Sequence, residues 1–329
     1  MRQIKINPES AQKAAVEAVL EFPGWKLVRL LNVSENIIFE VVHELGEKAA
    51  LRIHRPNYQT GASIKSELQW MAFLSEKGIE TPAPIKTEAG KLISSTSNNL
   101  QATMVSWIAG ESLQTVHEKT SDTPAEISEI YFHLGGVIAQ IHNATDTFEI
   151  PERFERPSWD IDGFLGDNPL WGRFWDNPVL SSNQRMFLLD LKTVLKTRLQ
   201  QFLDDGGDFG LIHADVISEN VLVANGKPII IDYDDSGYGF RMYDLAVPLY
   251  RFYPSPTFAR LAALLKEGYT DYRPLPGKSW EFFLTFILLR RLALLGWVVP
   301  RKPPDEIASR TRKNLKAVEA LVKEINIAF

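Results

Sequence analysis

The period of the apolar positions changes near residue 110. Before it the chain runs in short β-rich stretches: WKLVRLL, NIIFEVVHELGEKAALRIH, KLISST and LQATMVSWI, parted by the turn-forming ELGEK and EAGK. Runs of this length, rich in β-branched and aromatic residues, predict strands. Two segments instead show helical spacing. Residues 8–20 predict a short helix, which Asn7 can cap and Pro8 can open. In SIKSELQWMAFLSEKG, Ile64, Leu68, Met71 and the Phe73–Leu74 pair share one face, and Gly78 stands where helices end. The first hundred residues therefore predict an antiparallel sheet with one helix inserted after the third strand.

From about residue 111 helical spacing dominates, in AEISEIYFHLGGVIAQIHNAT, NQRMFLLDLKTVLKTRLQQFLDD, TFARLAALLKEGY, SWEFFLTFILLRRLALLGWVV and PDEIASRTRKNLKAVEALVKEI. At the centre of this helical half lies a predicted strand pair, VLVA and PIIID. The two are joined through Asn225-Gly226, a strong hairpin signal. The expected division is a strand-rich lobe over residues 1–108 and a helical lobe over 109–329, an α+β organisation. Residues 151–182, rich in Pro, Trp and Asp, read as an irregular insertion.

Composition narrows the functional classes. The 329 residues carry a net charge of -5, which does not suggest a nucleic-acid partner, and no cysteine, which removes disulfide and thiolate chemistry. The most apolar stretch, residues 282–299, has Arg290 and Arg291 at its centre, where charge is costly in a bilayer. It reads as a buried helix, and a cytoplasmic protein without a membrane partner is expected. The oligomeric state is open.

The chemistry concentrates in GLIHADVISENVLVANGKPIIIDYDD. A hairpin brings the ends of its strands together, so Asn220, opening one strand, and Asp232, ending the other, should be neighbours. Both are hard oxygen ligands suited to Mg2+. Asp215, five residues before Asn220, can point to the same place without binding the metal. A carboxylate beside such a metal pair suits phosphoryl transfer, because it can orient a hydroxyl and accept its proton. His213 reads as structural, donating a hydrogen bond that holds the loop.

HADVISEN and the following IIID fit the kinase pattern His-x-Asp-x-x-x-x-Asn and its later metal aspartate. With SENIIFEV, AALRIHRP, VSWIAGESL and GYGFRMYDLAVPL in matching order, the chain most resembles the aminoglycoside phosphotransferase and choline kinase superfamily. That resemblance implies a two-lobed protein-kinase-like fold, with a small antiparallel-sheet lobe and a larger helical one. It implies an ATP- and Mg2+-dependent kinase with Asp215, Asn220 and Asp232 as catalytic residues, Asn220 and Asp232 also binding metal. Arg52 stands where protein kinases have a lysine and would hold phosphates, paired with Glu67. Ser34, Glu35 and Asn36 replace a glycine-rich loop and would offer backbone N–H groups to phosphate. Ser106 and Ile108 would meet adenine through their backbone, and Asp244 would anchor the catalytic loop.

The expected acceptor is a small-molecule alcohol: an amino alcohol, or a homoserine-like or sugar-like compound. A Ser/Thr protein kinase of the bacterial stress-response type is the alternative, and an inactive nucleotide-binding scaffold a third reading. The basic last helix argues against polycationic aminoglycosides. Asp234 and Asp235 could serve a second ion or a cationic substrate, but the favoured reading is that at least one caps a helix or pairs with Arg241. Trp171, Phe174 and Trp175 could hold an ammonium group by cation–π contact, or simply pack the insertion onto the helical lobe.

Overall fold

The computed structural model describes residues 7–33, 35–119 and 124–327. They fall into two compact units. One comprises the described residues up to Gly110 together with Phe148–Arg156; the other comprises Glu111–Thr147 and the chain from Pro157 onward.

The first unit contains α1 (Pro8–Val19), β1 (Trp25–Val33), β2 (Ile37–His43), β3 (Lys48–Ile53), α2 (Gly61–Glu76), β4 (Pro84–Ile85), β5 (Ser94–Ser95) and β6 (Gln101–Ser106). Its antiparallel sheet has the order β1-β2-β3-β6-β4, with β5 also on β6. The Asn7 side chain accepts from Glu9 N at 2.9 Å, and Pro8 opens α1. The alanine face of that helix (Ala11, Ala14, Ala15, Ala18) is buried with Val41, Leu51 and Met104 in one core. Small side chains there let the helix approach the sheet closely, and their burial supplies the hydrophobic stabilisation that short strands lack. Thr60 Oγ1 caps α2 by accepting from Ser63 N at 3.0 Å, and Gly78 leaves that helix at φ 80°.

Residues 148–156 were expected in the helical lobe. They belong to the strand-rich unit instead. Phe148 packs on Phe73 with ring centroids 4.8 Å apart. Glu155 N donates to Ser66 Oγ at 2.8 Å, and Arg156 Nη1 donates to the Ser63 carbonyl at 3.2 Å. These are long-range side-chain fits to α2, invisible in local periodicity.

The second unit contains β7 (Glu111–Ser112), α3 (Leu113–Lys119), α4 (Pro124–Thr145), β8 (Ser158–Trp159), α5 (Ile161–Leu165), α6 (Ser182–Asp204), β9 (Phe209–Ile212), β10 (Val221–Ala224), β11 (Lys227–Ile230), β12 (Gly237–Phe240), α7 (Arg241–Ala246), α8 (Pro256–Thr270), α9 (Phe283–Arg301) and α10 (Pro304–Glu324). Two three-stranded sheets, β11-β10-β7 and β8-β12-β9, sit among these helices. The β10–β11 hairpin turns at Asn225 (φ 51°) and Gly226 (φ 77°), as a two-residue hairpin requires. Helices α4 and α8 approach so closely that a Cβ on Gly135 would strike the Leu265 carbonyl oxygen. Phe202, Phe240 and Phe286 form a ring cluster with centroids 5.0–5.8 Å apart. The helix over Ser279–Arg301 is long and apolar enough to cross a membrane, with a mean hydropathy of 1.9, yet 72% of that window is buried within the protein. It is a core helix.

Candidate active site

The loop after β9 is built on one carboxylate. Asp244, in the first turn of α7, accepts from His213 N at 2.8 Å through Oδ2 and from Ala214 N at 2.7 Å through Oδ1. Its Oδ2 also lies 3.2 Å from His142 Nε2, and His142 Nδ1 lies 3.0 Å from the Tyr269 hydroxyl. A carboxylate only accepts, so Nε2 carries the proton and Tyr269 donates to Nδ1. Burial holds His142 below its usual pKa, so it stays neutral in this arrangement. Asp244 thus has the anchoring role read from the sequence.

His213 is fixed the same way. Its Nε2 donates to the Ile231 carbonyl (3.0 Å) and its Nδ1 accepts from Asp215 N (3.2 Å). It ties the loop to the end of the hairpin and turns Asp215 inward. Ala214 adopts φ 66°, a left-handed conformation that glycine takes without strain.

Asn220 and Asp232 are brought together, with one adjustment. Asn220 ends a short 3-10 turn (Ser218–Asn220) rather than opening the strand, and Asp232 lies two residues beyond β11 at φ 65°. Ile231 N donates to the Asn220 carbonyl at 2.9 Å, extending the hairpin pairing to its mouth. Asn220 Nδ2 donates to the Asp215 carbonyl (2.9 Å) and to Asp215 Oδ2 (3.0 Å). That use of the amide nitrogen leaves Oδ1, the hard acceptor, without a hydrogen bond among the described residues. The donor set of Asn220 Oδ1 and the Asp232 carboxylate fits a hard divalent cation. Among the described residues no group of three or more His, Cys, Asp or Glu is arranged to hold a metal by itself, so water or ligand oxygens would complete the shell.

The other oxygen of Asp215 meets a residue not assigned from the sequence. Arg290, in the middle of α9 and 2% exposed, donates Nη2 to Asp215 Oδ1 at 2.5 Å. Burial pushes the Asp215 carboxyl up to about 7; Arg290 opposes this, and Asp235 and Asp232 add to it. The signal for Arg290 was present in LLRRLALL, since a charge inside an apolar helix needs a partner. The partner's identity was not legible.

One expected pairing of the nearby carboxylates requires correction, while the rings pack as the favoured reading had them. Arg241 does not pair with Asp234 or Asp235. It pairs with Asp146 and, at 3.3 Å, with Asp208, and donates to the His142 carbonyl at 2.7 Å. Arg273 joins the same two aspartates, so the network braces α4 against the start of β9. The Asp235 carbonyl accepts from Trp159 Nε1 at 2.8 Å. Trp171, Phe174 and Trp175 are all buried. Trp175 already carries Lys192 at 4.0 Å, and Trp171 carries the Arg290 guanidinium at 4.6 Å. Their cationic partners come from the chain itself, and packing is their role.

In the strand-rich unit, Arg52 on β3 and Glu67 on α2 form the expected pair, Nη1 to Oε1 at 2.8 Å, both buried. Arg156 approaches the other Glu67 oxygen at 3.9 Å, an arginine that sequence reasoning missed. Ser34 lies outside the described residues. Glu35 and Asn36 have their side chains committed to Arg55: Glu35 as an ion pair, and Asn36 Oδ1 accepting from Arg55 N at 3.0 Å. Ser106, expected to meet adenine through its backbone, donates its N–H to the Ala83 carbonyl at 2.8 Å. Ile108 lies beyond the last strand residue, and its backbone has no partner among the described residues.

The chain is similar to known proteins over much of its length. The chain is 22% identical over 283 residues to amicoumacin kinase of Bacillus subtilis, covering 82% of this chain and 79% of that one. It is 28% identical over 222 residues to homoserine kinase of Neisseria meningitidis, covering 64% and 63%. Among solved structures, a microcompartment-associated aminopropanol kinase superposes with a TM-score of 0.81 at 26% identity, covering 95% of this chain and 96% of that one. The kinase-like fold implied by the sequence is therefore the fold observed. With the family model matched across residues 29–277, the chain belongs to the phosphotransferase enzyme family, as an ATP-dependent kinase acting on a hydroxyl group.

Proposed function

We propose that this protein transfers the γ-phosphate of ATP to the hydroxyl of a small amino alcohol or homoserine-like compound, with Asp215 as the group that takes the acceptor proton. The observation that carries the reading is the Asp215 carboxylate, held between Asn220 and Arg290 at the mouth of the hairpin that bears Asp232. In the transfer, the acceptor oxygen forms a bond to the γ-phosphorus. The bond from that phosphorus to the ADP oxygen breaks, and the hydroxyl proton passes to Asp215. Asp215 orients the hydroxyl before the bond forms, which restricts the reaction to near-attack geometries. Asn220 and Asp232 would hold Mg2+, which supplies charge neutralisation for the phosphate oxygens. Arg52, oriented by Glu67, is suited to hold phosphate through its planar fork, and the Ile108 backbone is suited to meet adenine.

For the acceptor, the likeness to an aminopropanol kinase over nearly the whole of both chains supports an amino alcohol. The test is ADP release with Mg–ATP against aminopropanol, homoserine, simple sugars and a generic protein substrate. Turnover should be fastest with an amino-bearing alcohol. Phosphorylation of the protein substrate alone would replace this reading with the protein-kinase one.

A further inference from the structure

Adjacent arginines on α9 have separate partners. Arg291 is 3% exposed and spends its donors on structure: Nη2 reaches the Tyr250 carbonyl at 2.5 Å and the Tyr253 carbonyl at 3.1 Å, and Nη1 reaches Asn314 Oδ1 at 3.1 Å. It splices the segment before α8 to α10. Arg290, one residue earlier and so about 100° around the helix, has Asp215 as its only carboxylate partner within ion-pair distance among the described residues. Its guanidinium lies 4.6 Å from the Trp171 ring centroid and 5.3 Å from that of Tyr250. Two buried aromatic rings therefore limit where the guanidinium can go.

We propose that Arg290 is a positioning residue for phosphoryl transfer, locking the Asp215 carboxylate so that it meets the acceptor hydroxyl in one orientation. This rests on the assignment of Asp215 as proton acceptor. A carboxylate held by one oxygen can still swing about its Cβ–Cγ bond. Asp215 is held by both: Oδ1 by Arg290 and Oδ2 by Asn220 Nδ2. The two donors come from elements far apart in sequence, a core helix and the catalytic loop itself, so neither can shift without the other resisting. Each carboxylate oxygen has a second lone pair, so the acceptor proton still has a place to go.

The test uses the full chain, with Mg–ATP hydrolysis (water as acceptor) as the activity probe and calorimetric Mg–ATP affinity and melting temperature alongside. Arg290→Gln removes the charge and the fork. Arg290→Lys keeps the charge and safeguards folding. Arg291→Lys is the control on the same helix. Each Arg290 variant is also made on an Asp215→Asn background, where no carboxylate is left to position. Arg290→Gln should lower kcat about 100-fold, the scale of a misplacement near 1 Å, with Mg–ATP affinity within a few-fold of wild type. Arg290→Lys should recover part of the loss. Neither should lower the residual rate of Asp215→Asn further. Arg291→Lys should lower the melting temperature and leave kcat alone. Normal kcat in both Arg290 variants overturns the proposal while leaving the Asp215 assignment standing, provided Asp215→Asn itself collapses turnover. An equal loss on both backgrounds also overturns it, since Arg290 would then act without Asp215. If Asp215→Asn turns over like wild type, the underlying assignment fails and the inference goes with it.

Discussion

Replacing Asp244 by asparagine should loosen the catalytic loop and the fold together. The carboxylate accepts from His213 N and Ala214 N, one on each oxygen, at 2.8 and 2.7 Å, and touches His142 as well. Asparagine is nearly isosteric but offers a single oxygen. Its amide nitrogen must then face either the Ala214 N–H, or the His213 N–H together with the protonated Nε2 of His142, donor against donor. One charge-assisted hydrogen bond is lost, worth about 1.5–3 kcal/mol, and one buried N–H is left unsatisfied, costing about 1–3 kcal/mol. A net destabilisation of about 2.5–6 kcal/mol follows from these two terms. For a unit of this size each kcal/mol shifts the melting temperature by about 2–4 °C, so the transition of the helical unit should fall by about 5–24 °C. The same substitution frees Ala214 from its left-handed conformation and moves Asp215 beside it. Turnover should therefore fall at temperatures well below the transition, by about 100-fold for a displacement near 1 Å. Differential scanning calorimetry and ADP release on the same preparation measure both. A variant melting within a degree or two of wild type would refute the claim that Asp244 carries the loop. A variant that melts low but turns over normally would refute the coupling of that anchor to Asp215.

Three further outcomes are expected. Asp215→Asn should keep the fold and hold Mg–ATP affinity within a few-fold while transfer falls by at least about 10²–10⁴-fold; Asp232→Asn should weaken Mg–ATP binding as well, and titration calorimetry showing the reverse pattern would exchange the two roles. Arg52→Ala should impair nucleotide use more than thermal stability and Arg52→Lys should be partly active, because lysine keeps the charge but loses the fork; equal activity of wild type and Arg52→Ala would remove Arg52 from the site. Stability should fall in mild acid, since burial, aided by Arg52, holds His54 well below 6.5, and burial likewise lowers His142. At these histidines the unfolded chain takes up protons first, so their contribution is complete above about pH 6.5 and declines below it by up to about 1.4 kcal/mol per pH unit for each histidine, whereas Asp215, raised to about 7, takes up its proton first in the folded state and offsets part of the loss; with that carboxylate removed by Asp215→Asn, denaturant titrations showing no loss between pH 6.5 and 5 would contradict the buried, neutral assignment.

What was legible in the sequence is what short range determines. The Asn7 cap, the Ile64–Leu68–Met71 face, the Asn225-Gly226 turn and the spacing of Asp215, Asn220 and Asp232 follow from local geometry, and the structure has each of them. A hairpin must bring its ends together, so placing Asn220 near Asp232 needed no knowledge of the rest of the chain. The Arg52–Glu67 pair was accessible through resemblance, because the order of strand and helix sets that distance. Partner choice among well-separated residues was not accessible. Arg241 had several aspartates within plausible reach, and only the packing of α4 beside β9 selected Asp146 and Asp208 over Asp234 and Asp235. The aromatic cluster at 171–175 had the composition of a cation site, and only tertiary contacts showed that Lys192 and Arg290 already occupy it. Residues 148–156 carry no periodicity of their own and join the strand-rich unit through side-chain fits to α2. Arg290 announced itself as a misplaced charge in an apolar helix, but a charge in a helix specifies only that some partner exists. The fold decided that the partner is Asp215: a buried guanidinium needs acceptors for its donors, which neighbouring Arg291 finds in backbone carbonyls, and the packing of α9 brings the Asp215 carboxylate to Arg290.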